Sequence, residues 1–384
     1  MLMLEHDAKE ILAGKGVPVP LGVLAESTDA PLPDFPPPFV VKAQVPFGGR
    51  GKAGGIRSCG TRAALPALLG EMIGMALKGH PVQACRIEQA VAGAQEFYLS
   101  LSVHAPTASV AVLLSPEGGV EIEGEGSAAL RSGRSRLGAD AIAAEVARLA
   151  EDLPETVRSA VTAAGKALGG LFVELDALLL EINPLFVRPD GTWLAGDAKL
   201  ILDDNALPRQ PELAALLRAR ANAYADTAFK LAQGFDFVVL DPDGEIGLVT
   251  TGAGLSMKLI DELIGLGARP FNFCDIRTGQ MRGDPARLIL VLQAMAAAPH
   301  IRSILVNIFA GITDLAEFAD LLVKALLAVP EIKVPVVVRL VGNGEGEAAA
   351  ILAGSGLPLR LESDLDAAVA LAVAESRKGA RDAS

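Results

Sequence analysis

The sequence predicts a multi-domain α/β protein. Three observations predict it: a run of strand–helix alternations in the last third, a front half of different rhythm, and a length that suits two domains. The 384 residues are enough for a full core in each of two domains.

Short β-branched runs alternate with helical patterns from residue 245 to the end. EIGLVTT leads into LSMKLIDELIGLG, PFNFC into DPARLILVLQAMA, and SILVNIFA into LAEFADLLVKALL. VPVVVRLVG precedes EGEAAAILAGSG, and PLRL precedes DLDAAVALAVAESRK. Such alternation means a parallel sheet with helices on both faces, and these sheets bind ligands beyond the carboxyl ends of their strands. The loops to watch are 250–255, 274–284, 309–314 and 341–346.

The first ~225 residues read differently. A charged amphipathic helix (3–14) precedes the proline-rich PLPDFPPP and the strand FVVKAQV (39–45). FYLSLSV (97–103) and ASVAVLLS (108–115) are β segments, and 139–168 is a helical zone. A hairpin follows, ALLLEINPLFV–RPDG–TWLAGDAKLIL, then a helical segment (209–234) that bridges the halves. The boundary is placed between domains 1–225 and 226–384.

Composition removes several classes of function. A net charge of −12 argues against general affinity for nucleic acid, so an anionic substrate needs a local basic or backbone-donor pocket. The three cysteines lack metal-site clustering, which points to a reducing cytoplasm and away from disulfides or structural zinc. The N-terminal pattern is not a signal peptide, and no apolar run approaches the roughly 18 residues of a membrane span.

Two elements carry chemistry. VVKAQVPFGGRGKAGG puts Lys42 on a strand with glycines, an arginine and a lysine just after it. Glycines let a backbone close over phosphates while the cations supply charge; a glycine-rich hairpin without a ligand is the plainer alternative. It is not a Walker loop, because no GK[ST] opens a helix. In the hairpin, a turn at Pro189-Asp190-Gly191 opposes residues whose numbers sum to about 380. Asn183 then faces Asp197, and Glu181 projects from the same face as Asn183. An amide oxygen beside a carboxylate suits Mg²⁺, which shares its shell with water and phosphate; the alternative is a polar patch on a solvated sheet face.

These segments, with SPEGGVEIE, GDAKLILDDNALPRQPEL, SILVNIFAGI and VPVVVRLVGN, resemble in order the β subunit of succinate–CoA ligase. The resemblance implies an ATP-grasp domain followed by a flavodoxin-like CoA-ligase domain. It implies ATP (or GTP) and CoA as substrates alongside a small carboxylate. It also implies a CoA-binding α subunit carrying a transiently phosphorylated histidine, in an αβ or α2β2 assembly. By position, Lys42, Gly49, Arg50 and Gly51 match nucleotide-phosphate residues, Glu88 a ribose or adenine-edge acid, Val91 a backbone contact to the base and Glu96 a second acid. Asn183 and Asp197 match magnesium ligands, and Glu181 the carboxylate that meets the partner's histidine. His6, His80, His104 and His300 sit on the first helix, at turns or past a helix end, so a phosphohistidine would come from another chain.

In the back half the resemblance assigns phosphate or carboxylate binding to loops holding Thr251, Gly311, Ile312 and Thr313. Here the pattern breaks. Thr251 replaces an Asn, Arg277-Thr278-Gly279-Gln280 replaces glycines, and Asp314 stands where an Arg is usual. Arg277 (or Arg282) is expected to supply the missing charge, for an acid other than succinate. Ala198 and Ala310 lean toward the malate–CoA ligase β subunits. Other readings are an ATP-grasp ligase without a CoA partner, against which the strand–helix back half argues, and a non-catalytic ATP-binding paralogue.

Overall fold

The computed structural model describes residues 1–118 and 129–381. Residues 119–123 of the SPEGGVEIE segment lie outside these. The chain divides into two compact units, Met1–Ala214 and Ala215–Ser384.

Among the described residues the front unit holds two larger antiparallel sheets and one short pair, Ala76–Leu77 with His80–Pro81. One orders its strands Gly22–Ala25, Cys85–Gln89, Phe39–Ala43 and Ile56–Cys59. Its apolar face, with Phe39, Val41 and Ile87, is covered by Leu65, Leu69 and Met72 of the helix Leu65–Met72. The other is built on the long strand Ala177–Val187, which pairs with Gln95–His104 on one side and with Trp193–Ala195 and Ala198–Leu202 on the other. Ser109–Ser115 and Arg131–Ser135 extend it.

Helices Ala139–Leu149 and Glu155–Glu174 fill the expected helical zone. They pack closely because Gly165 has no side chain; a Cβ there would lie 2.5 Å from Val146. The first helix, Glu5–Gly14, has a buried face in which Glu5 and Lys9 stand beside Ala8 and Leu12. That face brings charge into the interior, a costly arrangement unless the charges are paired.

The back unit is doubly wound. Ile246–Thr250, Ser303–Ala310, Val336–Gly342 and Leu359–Leu361 form a parallel sheet. Alternate residues face opposite layers, as strand geometry requires. Leu248, Leu305 and Val337 pack with Leu259, Leu263, Val369 and Val373 on one side. Val249, Val306 and Val338 pack with Leu288, Phe318, Leu322 and Ala348 on the other.

The PFNFC strand departs from the expected five-stranded parallel sheet. Asn272–Asp275 ladders antiparallel with Asp236–Val239 instead. It meets Ile246–Thr250 through one parallel bridge, Ile246 to Pro270, through Thr250, whose hydroxyl donates to Cys274 O and whose carbonyl accepts from Ile276 N, and through the Asn272 carboxamide. Asn272 Oδ1 accepts from Leu248 N and its Nδ2 donates to Leu248 O, both at 2.9 Å. A side chain thus satisfies backbone groups that a ladder would otherwise pair. Counting this strand as the second, the order 2-1-3-4-5 is the flavodoxin-like one.

The expected bridge 209–234 forms two helices, Pro211–Ala219 and Ala225–Gln233. A turn at 220–224 separates them.

Candidate functional site

A cavity of about 460 Å³ opens within the front unit. The strand Phe39–Ala43 places Lys42 in its wall, and the glycine-rich loop after it contributes Gly49, Arg50 and Gly51. Glu88 and Val91 come from the neighbouring strand and its exit, and Glu96 from the start of Gln95–His104. The hairpin adds Glu181, Asn183 and Asp197. The structure therefore brings every front-half residue singled out from the sequence to one space.

The hairpin has the register its turn predicts. Glu181 faces Lys199 and Ile182 faces Ala198, and Asn183 N donates to Asp197 O at 3.3 Å. On its other side Glu181 faces Ser100, and Tyr98 Oη donates to Glu181 Oε2 at 3.3 Å.

Beneath the cavity lies a buried ion-pair network that sequence reading did not anticipate. Lys42 Nζ reaches Glu5 Oε1, Glu88 Oε2 and the Gly196 carbonyl, each at 2.8 Å. Lys9 Nζ meets Glu5 at 2.9 Å, and Glu88 and the same carbonyl at 2.5 Å. Arg50 joins Glu5 at 2.6 Å to Asp197 at 2.8 Å, and also donates to Ala43 O. Arg86 pairs with Glu88 at 2.6 Å and with Glu10 at 3.0 Å. Glu88 is 2% exposed and takes all its partners from Lys9, Lys42 and Arg86. Its geometry suits anchoring Lys42 more than reaching a ribose.

The protonation preferences follow from this packing. Burial raises the pKa of Glu5, but Arg50, Lys42 and Lys9 outweigh it and hold the carboxyl well below its ordinary value. Glu88 is also lowered: burial opposes the charge, and Lys42 and Lys9 win. Lys42 is raised because Glu5, Glu88 and Asp197 overcome its burial, whereas burial prevails at Lys9 and lowers it. Asp197 is raised by burial and by Glu5, in spite of Arg50. A carboxylate in that condition gains most from a further cation.

Asn183 and Asp197 offer an amide oxygen and a carboxylate, a donor set that fits Mg²⁺ when phosphate and water complete the shell. Among the described residues no group of three or more His, Cys, Asp or Glu could hold a metal by itself. Asp197 is 25% exposed in its side chain and now pairs with Arg50.

In the back unit, Thr251, Arg277, Gly311, Ile312 and Thr313 lie on loops at the carboxyl end of the sheet. Asp275 Oδ1 accepts from Gly252 N at 2.9 Å and from Arg277 N at 3.3 Å. The charge expected of Arg277 is not free. Its guanidinium pairs at 2.9 Å with Asp236, which also holds Lys230. Asp314, which stands where an arginine was expected, caps the helix Leu315–Ala328 by accepting from Ala316 N. The two rewritten loops touch through Thr278 Oγ1 and Thr313 Oγ1, 2.8 Å apart. Ile312 is fully exposed.

Sequence reading missed Glu5, Lys9, Arg86 and Lys199. A signal existed for the first pair, since Glu5 and Lys9 sit one turn apart on the face that also carries Leu12.

Comparison with known proteins agrees with both units. The ATP-grasp domain family matches residues 2–187 and the CoA-ligase family residues 249–373. A succinate–CoA ligase (ADP-forming) subunit beta of Chloroflexus aggregans is 37% identical over 368 residues, covering 93% of this chain and 94% of that one. Its counterpart in Gemmatimonas aurantiaca is 34% identical over 389 residues, covering 99% of each. Among solved structures, an ATP citrate lyase from Methanothrix soehngenii shares the fold, with a TM-score of 0.74 at 18% identity over 97% of this chain and 99% of that one. No helix among the described residues is long and apolar enough to cross a membrane. With two family domains in order and near-full-length relatives above a third identical, the chain belongs to the β-subunit family of succinate–CoA ligase (ADP-forming), a family of acid–thiol ligases.

Proposed function

We propose that this chain is the nucleotide-binding subunit of an ADP-forming acid–CoA ligase, working with a CoA-binding α subunit in an αβ or α2β2 assembly. The reaction joins a small carboxylic acid to CoA while ATP becomes ADP and phosphate. One observation carries the reading: the front cavity gathers the glycine-rich loop, the paired Asn183 and Asp197, and Glu181 in a single wall.

In this reading the nucleotide phosphates lie over Gly49, Arg50 and Gly51, in the positive surroundings of Lys42. Val91 and Glu96 border the base and sugar, and Glu88 keeps Lys42 in place. Asn183 and Asp197 would hold Mg²⁺, which would offset phosphate charge. Arg50, the present counter-ion of Asp197, is free to turn to phosphate once another cation takes that carboxylate. Glu181 accepts a hydrogen bond from the partner's histidine as that ring receives the phosphoryl group. The phosphoryl group then passes to the acid, and CoA thiolate displaces phosphate from the acyl phosphate.

Thr251, Gly311, Ile312 and Thr313 form this chain's share of the carboxylate and phosphate site. A second reading concerns only the acid. Arg277 is tied to Asp236 and Asp314 is a helix cap, so these two loop positions bring no free positive side chain to a second carboxylate. That weighs equally against succinate and malate, both dicarboxylates, and favours another small acid with a single carboxylate.

The test is to copurify the chain with its CoA-binding partner and follow ADP release with ATP or GTP across a panel of acids. The reading expects release that depends on both CoA and an acid. Release that needs neither, or none with any acid despite tight MgATP binding, would favour the partner-free ligase or the non-catalytic paralogue.

A further inference from the structure

Two lysines of the front unit are saturated, and two others that line its cavity have no polar partner among the described residues. Lys42 spends its three N–H donors on Glu5, Glu88 and Gly196 O, and Lys9 spends its three on the same groups. Arg50 is divided among Glu5, Asp197 and Ala43 O. Two lysines that line the cavity make no ion pair or hydrogen bond among the described residues: Lys52, exposed in the glycine-rich loop, and Lys199, half-buried on the hairpin. A half-buried ammonium with all its donors unused is the one that has something to gain from an anion.

Its position says which anion. Lys199 faces Glu181 directly across the antiparallel pair. Its Nζ also lies 3.7 Å from where a Cβ would stand on Gly48, so it reaches to the glycine-rich loop itself. It therefore stands between the loop that cradles phosphates and the carboxylate at which the phosphoryl group leaves.

The geometry points to Lys199 as a catalytic residue that grips the terminal phosphate of the nucleoside triphosphate and stays on that group during transfer. The inference rests on the nucleotide reading above. In the step, the bond from the γ-phosphorus to the β,γ-bridging oxygen breaks, and ADP leaves with that electron pair. A lone pair on an imidazole nitrogen of the partner forms the new P–N bond, and the ring keeps its N–H. Lys199 neither gives nor takes a proton. It acts as a fixed positive charge beside the three equatorial oxygens, where neutralisation lowers the barrier.

The experiment compares MgATP and MgADP binding to the full chain by calorimetry for wild type, Lys199→Ala and Lys199→Arg. Loss of one charge-assisted contact to the terminal phosphate should weaken MgATP binding by about tenfold or more, and MgADP binding by less than about threefold. Lys199→Arg should recover most of the MgATP affinity. In the complex with the partner, single-turnover phosphorylation by Lys199→Ala should slow by roughly a hundredfold. Because Lys199 has no partner to lose, the melting temperature should not move, and a large drop would overturn the assignment. Equal losses for both nucleotides, or no loss for either, would overturn it while leaving the nucleotide reading intact. A wild-type chain that binds neither nucleotide overturns both.

Discussion

The two units arrange their charged side chains in opposite ways. In the front unit, Glu5, Lys9, Lys42, Arg50, Arg86 and Glu88 are nearly all below the surface, and each charge has opposite charges in contact. In the back unit, the strand-end loops present hydroxyls, backbone and an exposed Ile312, and Arg277 and Asp314 are turned to structural duties. A buried network fixes its geometry before a ligand arrives, because breaking one pair strands the other charge. An open loop leaves its geometry to whatever covers it. The front site is thus prepared by its own fold, and the back site has the look of half of an arrangement.

The strongest way to break this contrast is Glu5→Gln. It takes the shared anion from Lys9, Lys42 and Arg50, and should cost about 3–5 kcal/mol in urea unfolding of the front unit. A loss below about 1 kcal/mol would mean the network is looser than its burial implies. Acid sharpens the same point. Glu5 and Glu88 titrate below their ordinary value of 4.5 in the folded chain, so their contribution is complete above that pH. It drains away as the pH falls through their depressed values. Melting curves of wild type should therefore fall more steeply below pH 4.5 than those of Glu5→Gln.

Asp197→Asn comes next. It should reduce the dependence of nucleotide affinity on Mg²⁺ by about tenfold, read from calorimetric titrations at several metal concentrations. Asp314→Ala removes a helix cap in the back unit and should lower stability by about 1 kcal/mol with no effect on nucleotide binding. Thr278→Val is the mildest. It deletes one neutral hydrogen bond between loops and should cost about 0.5 kcal/mol in unfolding, while shifting the ranking of acids in the turnover assay. An unchanged ranking would separate the Thr278–Thr313 contact from specificity.

The sequence made some of this legible and hid the rest, for physical reasons. The hairpin register followed from one turn, since Pro189-Asp190-Gly191 sets which residues oppose and a period of two sets which share a face. The parallel sheet followed from apolar runs at regular spacing. Its second strand did not: Asn272 reads as an ordinary polar residue in PFNFC, and nothing local says that its carboxamide will stand in for a ladder. Lys9 and Arg86 were hidden likewise. Charge on a surface helix or strand normally meets water, and only tertiary packing reveals that both of these cations meet Glu88. Arg277 misled for the converse reason, as Asp236 lies 41 residues away in the chain.

Asn272 also has a consequence for how the back unit is joined. Its strand is joined to its neighbour by side chains as much as by backbone: the Asn272 carboxamide on Leu248, the Thr250 and Ser256 hydroxyls on Cys274 O, and the amides of Phe271 and Ile276. Asn272 and Cys274 are fully buried in that seam, so the hairpin Asp236–Val239 with Asn272–Asp275 is fixed to the sheet without a ladder. Asp275, whose carboxylate gathers Gly252 N and Arg277 N, ends that strand. The rewritten loop is thereby mounted on a strand whose placement depends on side chains, so a substitution at Asn272 would reach it.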